Sequence, residues 1–282
     1  MPELPEVQTV VTELKNFFLK KNSLSKIDIL NQSSIVLTKD IPLNSFLKKN
    51  ISSISRQGKY IIISLENNLY IIIHLRMTGH LFLNQKEEFK KHTRVVFYLK
   101  DEKTVIFHDT RKFGKVYFSN SLDFLKNKIG IDPFDSSFKQ DAFIEKIHKS
   151  KQSIKSILLS QKIVCGLGNI YVDEVLWQSK IHPLEQGYNI SNEQIIALYN
   201  AIKTVLSEGI KNKGCSLGKG ISNFMNTQGE FGKHQLSLNI YGKEKMPCPI
   251  CKNKIQKTKV NQRSTYFCSK CQSEKIPSSF LE

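Results

Sequence analysis

The chain has 282 residues, more than one core usually organises, so two or three domains are expected. Its 42 Lys and Arg against 25 Asp and Glu leave a formal charge of +17, a field that attracts a polyanion, nucleic acid ahead of an anionic membrane surface. No early stretch joins basic residues to a continuous apolar run, and no run reaches membrane-spanning length, which argues against secretory and membrane-spanning classes and predicts a cytosolic protein.

The chain opens with "MPELPEVQTV". Apolar residues at Leu4, Val7, Val10, Val11, Leu14, Phe17 and Phe18 form a stripe that predicts a helix ending near Lys20. Pro2 suits the first helical position, and Glu3 and Glu6 suit the positive end of a helix dipole. From Leu24 to Phe118 the texture changes to short β-branched runs, "ISSISRQ", "KYIIISLE", "LYIIIHL", "TRVVFYLK" and "TVIFHD", divided by turn signals. An antiparallel sandwich or barrel carrying one N-terminal helix is expected. "GIDPF" at Gly130 to Phe134 punctuates the chain, and helical periodicity then runs to about Lys213. Its last helix begins at an N-cap serine in "SNEQ" and ends at glycine. Residues 214–233 are rich in Gly, Ser and Asn and predict a mobile loop of the long kind that is often functional. The expected domains are 1–133, a β-sandwich; 134–237, helical with that loop; and 238–282, which holds paired cysteines.

Six cysteines do not resemble a secreted disulfide framework. Cys248 and Cys251 form one pair and Cys268 and Cys271 another, each pair two residues apart, with sixteen residues between pairs. Four thiolates delivered by two short knuckles are what a tetrahedral zinc ion requires, so one closed structural zinc is expected. Lys252, Lys254, Lys257, Lys259 and Arg263 lie between the pairs and predict a basic ridge. Arg263 is either a surface charge or a bidentate phosphate ligand. "GLGNIYVDE" reads equally as a helix-helix turn and as a phosphate grip built from backbone amides and Asn169. "HLRMTGH" and "HDTRKFG" each end a β run in a turn; Arg111 and Phe113, two apart, would point the same way in extended chain and suit stacking on a base. His74 and Met77 have the bland reading of a satisfied histidine and a core methionine, and Lys59 that of a snorkelling lysine at a strand start.

Taken in order, "MPELPEV", "QGKY", "IIIHLRMTG", "KHTRV", "DTRKFG", "GLGNIYVDE" and "NQRSTYFC" closely resemble the bacterial formamidopyrimidine-DNA glycosylase family, over nearly the whole chain. The resemblance implies an α+β multidomain protein: an N-terminal antiparallel β-sandwich with its helix, a helix-two-turn-helix domain, and a C-terminal four-cysteine zinc-finger β-hairpin. It implies that Met1 is removed, that Pro2 is the nucleophile, that Glu3 is the general acid/base with Glu6 in support, and that Lys59 and Arg263 assist strand cleavage. His74, His92, Arg111, Lys151 and Asn169 are expected to contact DNA, Met77, Arg111 and Phe113 to fill the void left by an extruded nucleotide, and residues 214–233 to cover the flipped base. The implied partner is damaged double-stranded DNA, bound by a monomer with one zinc, no organic cofactor and no membrane. Arg76, Thr110 and Lys112 depart from common family residues. An endonuclease VIII-like enzyme for oxidised pyrimidines and a non-catalytic DNA-binding homologue are the alternatives; the Met77, Arg111 and Phe113 set favours the purine enzyme.

Overall fold

The computed structural model describes residues 1–18, 22–38, 41–84, 91–218, 220 and 223–273. Residues 219 and 221–222 of the expected loop, and 274–282 of the expected finger region, lie outside these. The chain forms two compact units, one of Met1–Asn127 with Gly209–Gln235, the other of Lys128–Glu208 with Leu236–Glu282. Among the described residues no helix is long and apolar enough to cross a membrane.

In the first unit helix α1 spans Leu4–Phe17, and its stripe of Val7, Val10, Val11 and Leu14 is buried. The proline inside its first turn is Pro5, not Pro2 as expected: Glu3 is the N-cap, and Pro2 precedes it. Among the described residues nine strands follow, β1 (Leu24–Ile29), β2 (Ile35–Leu37), β3 (Ile51–Gln57), β4 (Tyr60–Leu65), β5 (Leu69–His74), β6 (Gly79–Leu83), β7 (Thr93–Leu99), β8 (Thr104–Asp109) and β9 (Lys115–Ser119). They form a four-stranded sheet, β1-β7-β8-β6, and a five-stranded sheet, β2-β9-β5-β4-β3. Side chains of both sheets, Ile61, Ile71 and Phe118 from one and Leu81, Phe97 and Phe107 from the other, share one core with α1, as a sandwich requires. Among the described strands of this unit the pairings are antiparallel, as expected of the sandwich, except β2 with β9, which is parallel at the edge of its sheet. The sequence reading passed over β6 because "MTGH" looks like a turn; Gly79 to Leu83 is buried throughout and pairs β8.

The second unit contains helices α3 (Gln140–His148), α4 (Ile154–Leu159) and α5 (Asn169–Gln178), after α2 (Asp123–Lys128) at the boundary, then α6 (Asn192–Lys211) up to Glu208, its last three residues belonging to the first unit. The amide of Gln194 donates to Ser191 Oγ at 3.4 Å, the expected serine cap. At the far end Lys213, at φ +58°, takes the left-handed position, and the Gly214 amide reaches back to Gly209 O at 2.8 Å, a Schellman closure. Strands β10 (Gln256–Val260) and β11 (Arg263–Phe267) form a hairpin in which Val260 faces Arg263. Its two-residue turn, Asn261 and Gln262, has positive φ at both positions, the type I′ geometry that matches strand twist.

Candidate active site and metal centre

Pro2, Glu3 and Glu6 stand together at the amino end of α1. Pro2 is buried while Met1 is exposed, and the Glu3 side chain is only 2% exposed. The Glu3 amide donates to Glu6 Oε2 at 2.7 Å within a reciprocal capping box. The helix-cap reading of these acids therefore holds, and it fixes both carboxylates beside Pro2. Glu6 Oε1 also accepts the Cys215 amide at 2.7 Å, and Gly214 is required next door, since a Cβ there would lie 2.8 Å from Glu6 Cγ at φ +79°. Lys59 is buried in the turn between β3 and β4 rather than on a strand. Gly58 before it has φ +56°, and the Arg56 guanidinium ties that turn to Gln8 of α1 at 2.8 Å.

A second cluster is built on two loops of the same unit. After β5, His74 packs edge-on against Tyr60 at 4.5 Å, and its Nδ1 accepts the Arg76 amide at 3.0 Å. Arg76 is left-handed at φ +55°, which gives the physical reason a glycine would also suit this position. Met77 is exposed at the tip rather than in the core. After β8, Arg111 and Phe113 come to one side because Lys112 turns the chain at φ +60°, not because the segment is extended. The Arg111 guanidinium lies 4.8 Å from the Phe113 ring centre and donates to Met77 Sδ at 3.5 Å, so Met77, Arg111 and Phe113 meet. Asp109, fully buried and overlooked in the sequence, joins the loops: Oδ1 accepts the Thr78 hydroxyl at 2.6 Å and the Arg111 amide at 3.1 Å, and Oδ2 accepts the Gly114 amide at 2.7 Å. Its own carbonyl accepts Arg94 Nε at 2.7 Å. His92 lies half-buried near this guanidinium and packs edge-on to His108 at 5.6 Å. Burial, aided by the charges of His80, His92 and Arg94, pushes the His108 imidazole down to about 4.

The second unit carries Lys151, Asn169, Arg263 and the four cysteines. Asn169 opens α5, and its Nδ2 donates to Ser264 O at 2.8 Å, next to Arg263 at the exposed start of β11. A cavity of about 460 Å³ is lined by Arg263, Asn261, Gln152 and the hydroxyl residues Ser153, Ser156 and Ser160. Lys151 is exposed before α4. The acids of "GLGNIYVDE" do structural work the sequence reading missed. Asp173 and Lys155 form a fully buried pair at 2.6 Å; Asp173 Oδ2 also accepts the Tyr266 amide at 2.9 Å, and Lys155 donates to Ser264 O at 3.3 Å. Burial pushes the Asp173 carboxyl up, opposed by the Lys155 charge. Glu174 accepts three consecutive amides, Asn239, Ile240 and Tyr241, each at 2.8 Å. Helix α5 thus holds both the β-hairpin and the segment leading into it.

The sulfurs of Cys248, Cys251, Cys268 and Cys271 all lie within 4.8 Å of one another. Cys251 and Cys268 are 3.4 Å apart, and Cys248 and Cys271 3.9 Å. Tetrahedral zinc with bonds of about 2.3 Å separates its sulfurs by about 3.8 Å, so the donor set fits one structural ion. The Trp177 indole donates to Cys248 Sγ at 3.4 Å, an outer contact of the kind that steadies a thiolate ligand. Gln272 accepts the Cys268 amide and donates to Ile181 O, both at 2.9 Å, fastening the finger to the end of the helical segment.

Comparison with known proteins gives one answer. Residues 1–116 match the formamidopyrimidine-DNA glycosylase N-terminal domain, 129–219 the formamidopyrimidine-DNA glycosylase H2TH domain, and 247–273 the zinc finger found in FPG and IleRS. The chain is 38% identical over 274 residues to a formamidopyrimidine-DNA glycosylase of Protochlamydia amoebophila, covering 96% of this chain and 99% of that one. It is similar to the Lactococcus lactis Fpg in complex with an N7-benzyl-Fapy-dG containing DNA, at TM-score 0.85 and 36% identity, covering 97% of this chain and 100% of the other. It is equally similar, at TM-score 0.85 and 36% identity, to the complex of that Fpg with an abasic site containing DNA, covering 96% and 100%.

Proposed function

The chain belongs to the formamidopyrimidine-DNA glycosylase family and is a DNA glycosylase of repair, and from that premise we propose that it excises oxidised purines, 8-oxoguanine and formamidopyrimidines, and then cleaves the strand. The observation that carries the reading is the buried Pro2 immediately ahead of the buried Glu3 at the cap of α1. With Met1 removed, Pro2 becomes a secondary amine whose ring has already fixed its geometry. Its nitrogen forms a bond to C1′ of the extruded nucleotide as the bond from C1′ to the base breaks; the base leaves with that electron pair, and the proton shed by the Pro2 nitrogen neutralises it. Glu3 gives a proton to O4′ as the sugar opens, which leaves an iminium between Pro2 and C1′. The iminium acidifies the C2′ hydrogen; its loss expels the 3′ phosphate, and a second elimination expels the 5′ phosphate. Lys59 serves as proton carrier in the eliminations, and Arg263 holds flanking phosphate by a charge-assisted fork.

His74, His92, Lys151, Asn169 and Arg111 contact the DNA backbone, and the excess of cations makes that binding fall steeply with salt. Met77, Arg111 and Phe113 enter the space the nucleotide leaves, recovering part of the stacking lost in flipping. Residues 214–233 cover the flipped base. Borohydride treatment with an 8-oxoguanine duplex, followed by peptide mass spectrometry, tests the reading. A reduced adduct on Pro2 of a chain lacking Met1 is expected; an adduct confined to a lysine, or full activity with Met1 still attached, would overturn it.

A further inference from the structure

Glu6 and Glu13 are seven residues apart on α1, so they lie two turns apart on one helix face, about 10.5 Å along the axis. Each meets one leg of the same loop. Glu6 Oε1 takes the incoming leg at the Cys215 amide. Glu13 takes the outgoing leg with three acceptor contacts: Oε2 accepts the Thr227 amide at 2.9 Å and the Thr227 hydroxyl at 2.7 Å, and Oε1 accepts Asn226 Nδ2 at 2.9 Å. The legs are also stitched together, since Ser216 Oγ donates to Phe224 O at 2.6 Å and accepts the Gly232 amide at 2.9 Å. Phe224 is buried in the sandwich core, and Leu83 of β6 donates its amide to Thr227 O at 3.1 Å. The loop base is therefore clamped by the helix that carries Pro2 at its amino end.

We infer that Glu13 is a positioning residue for base recognition: through Thr227 and Asn226 it sets where the outgoing leg of the loop, residues 223–233, stands. The inference rests on the reading of this loop as the cover of the flipped base. Glu13 touches no reacting atom, and the cap at Glu3 and Glu6 does not depend on it. Glu13→Gln keeps the size of the side chain but removes its charge and turns an amide NH₂ toward groups that are themselves donors. The outgoing leg then loses its carboxylate contacts to α1 and keeps only the Leu83 and Phe224 contacts to the sandwich, while the incoming leg keeps Glu6.

A base-excision step needs the cover; cleavage at a preformed abasic site has no base to cover. Glu13→Gln is expected to slow single-turnover release of 8-oxoguanine at least about tenfold while leaving cleavage of an abasic duplex within about twofold. Combining it with Thr227→Val should cost little beyond the Glu13→Gln effect, because the Thr227 hydroxyl is one of the three contacts that Glu13 accepts. A variant with residues 217–222 replaced by two glycines is measured alongside. If the shortened loop slows release and Glu13→Gln does not, Glu13 has no positioning role. If neither slows release, the loop is not the cover and the inference falls with that reading. Equal loss of both activities in Glu13→Gln reduces Glu13 to a general structural residue and overturns the proposal as well.

Discussion

The buried carboxylate of Asp109 accepts the Thr78 hydroxyl at 2.6 Å, and this contact joins the roots of the two loops that present Met77 on one side and Arg111 and Phe113 on the other. The same carboxylate takes the Arg111 and Gly114 amides, and Gly114 has no room for a side chain, its Cβ meeting Phe107 at 2.5 Å. Asp109→Asn preserves shape but sets an NH₂ against one of three donors. A loss of about 1–3 kcal/mol in unfolding free energy is expected, together with weaker binding to lesion duplex. Thr78→Val, which leaves the two amide contacts intact, should cost less. Denaturant unfolding and duplex titration of both variants check the order.

Much of this architecture was legible in the sequence because periodicity reports burial directly. The stripe on α1, the β-branched runs and the paired cysteines each state one local requirement. What escaped reading depends on partners distant in sequence. Asp109 gives a local signal, an acid that bonds its own backbone two residues on, but its link to Thr78 spans 31 positions. Lys155, in "SIKSILL", looks like a solvated helix cation, and only the fold places Asp173 and Ser264 around it. The pairing of Arg111 with Phe113 was foreseen for an incorrect reason, since a left-handed Lys112 rather than extended chain brings them together.

The Lys155–Asp173 pair makes a prediction about the hairpin. Both side chains are fully buried, so Asp173→Asn leaves an ammonium in apolar surroundings without its counter-charge, at a cost of about 3–5 kcal/mol. Replacing both partners by Met and Leu removes the stranded charge but orphans the Tyr266 amide, which Asp173 accepts. The double variant should therefore recover only part of the loss. Thermal melting of the two variants and the parent checks this, and a double variant as stable as the parent would contradict the role assigned to the Tyr266 contact.

Acid should destabilise the β-sandwich through His108. Its imidazole is held neutral down to about 4, against an ordinary value of 6.5. Between those values the unfolded chain binds the proton and the folded one does not. The stabilisation is complete above pH 6.5 and is lost progressively as pH falls toward 4, about 3 kcal/mol at most for this group alone. His108→Gln does not titrate, so its unfolding free energy should fall less steeply between pH 6.5 and 4.5. Equal slopes for variant and parent would remove His108 from the acid response.

The zinc site can be followed from inside the protein, because the single tryptophan of the chain, Trp177, donates to Cys248 Sγ at 3.4 Å. Loss of the metal leaves four sulfurs packed within 4.8 Å of one another with nothing to hold them there, so the knuckles should separate and admit water to the indole. Titration with a strong chelator is expected to release one zinc per chain and to shift Trp177 emission to longer wavelength in the same proportion. Affinity for DNA should fall in parallel, since Arg263 is presented by the hairpin between the cysteine pairs. Cys268→Ser should show the shifted emission without chelator, because it removes one ligand and leaves the remaining thiolates an incomplete set. An emission change that runs ahead of zinc release would mean that the chelator perturbs the second unit by another route, and that the metal does not hold the finger closed.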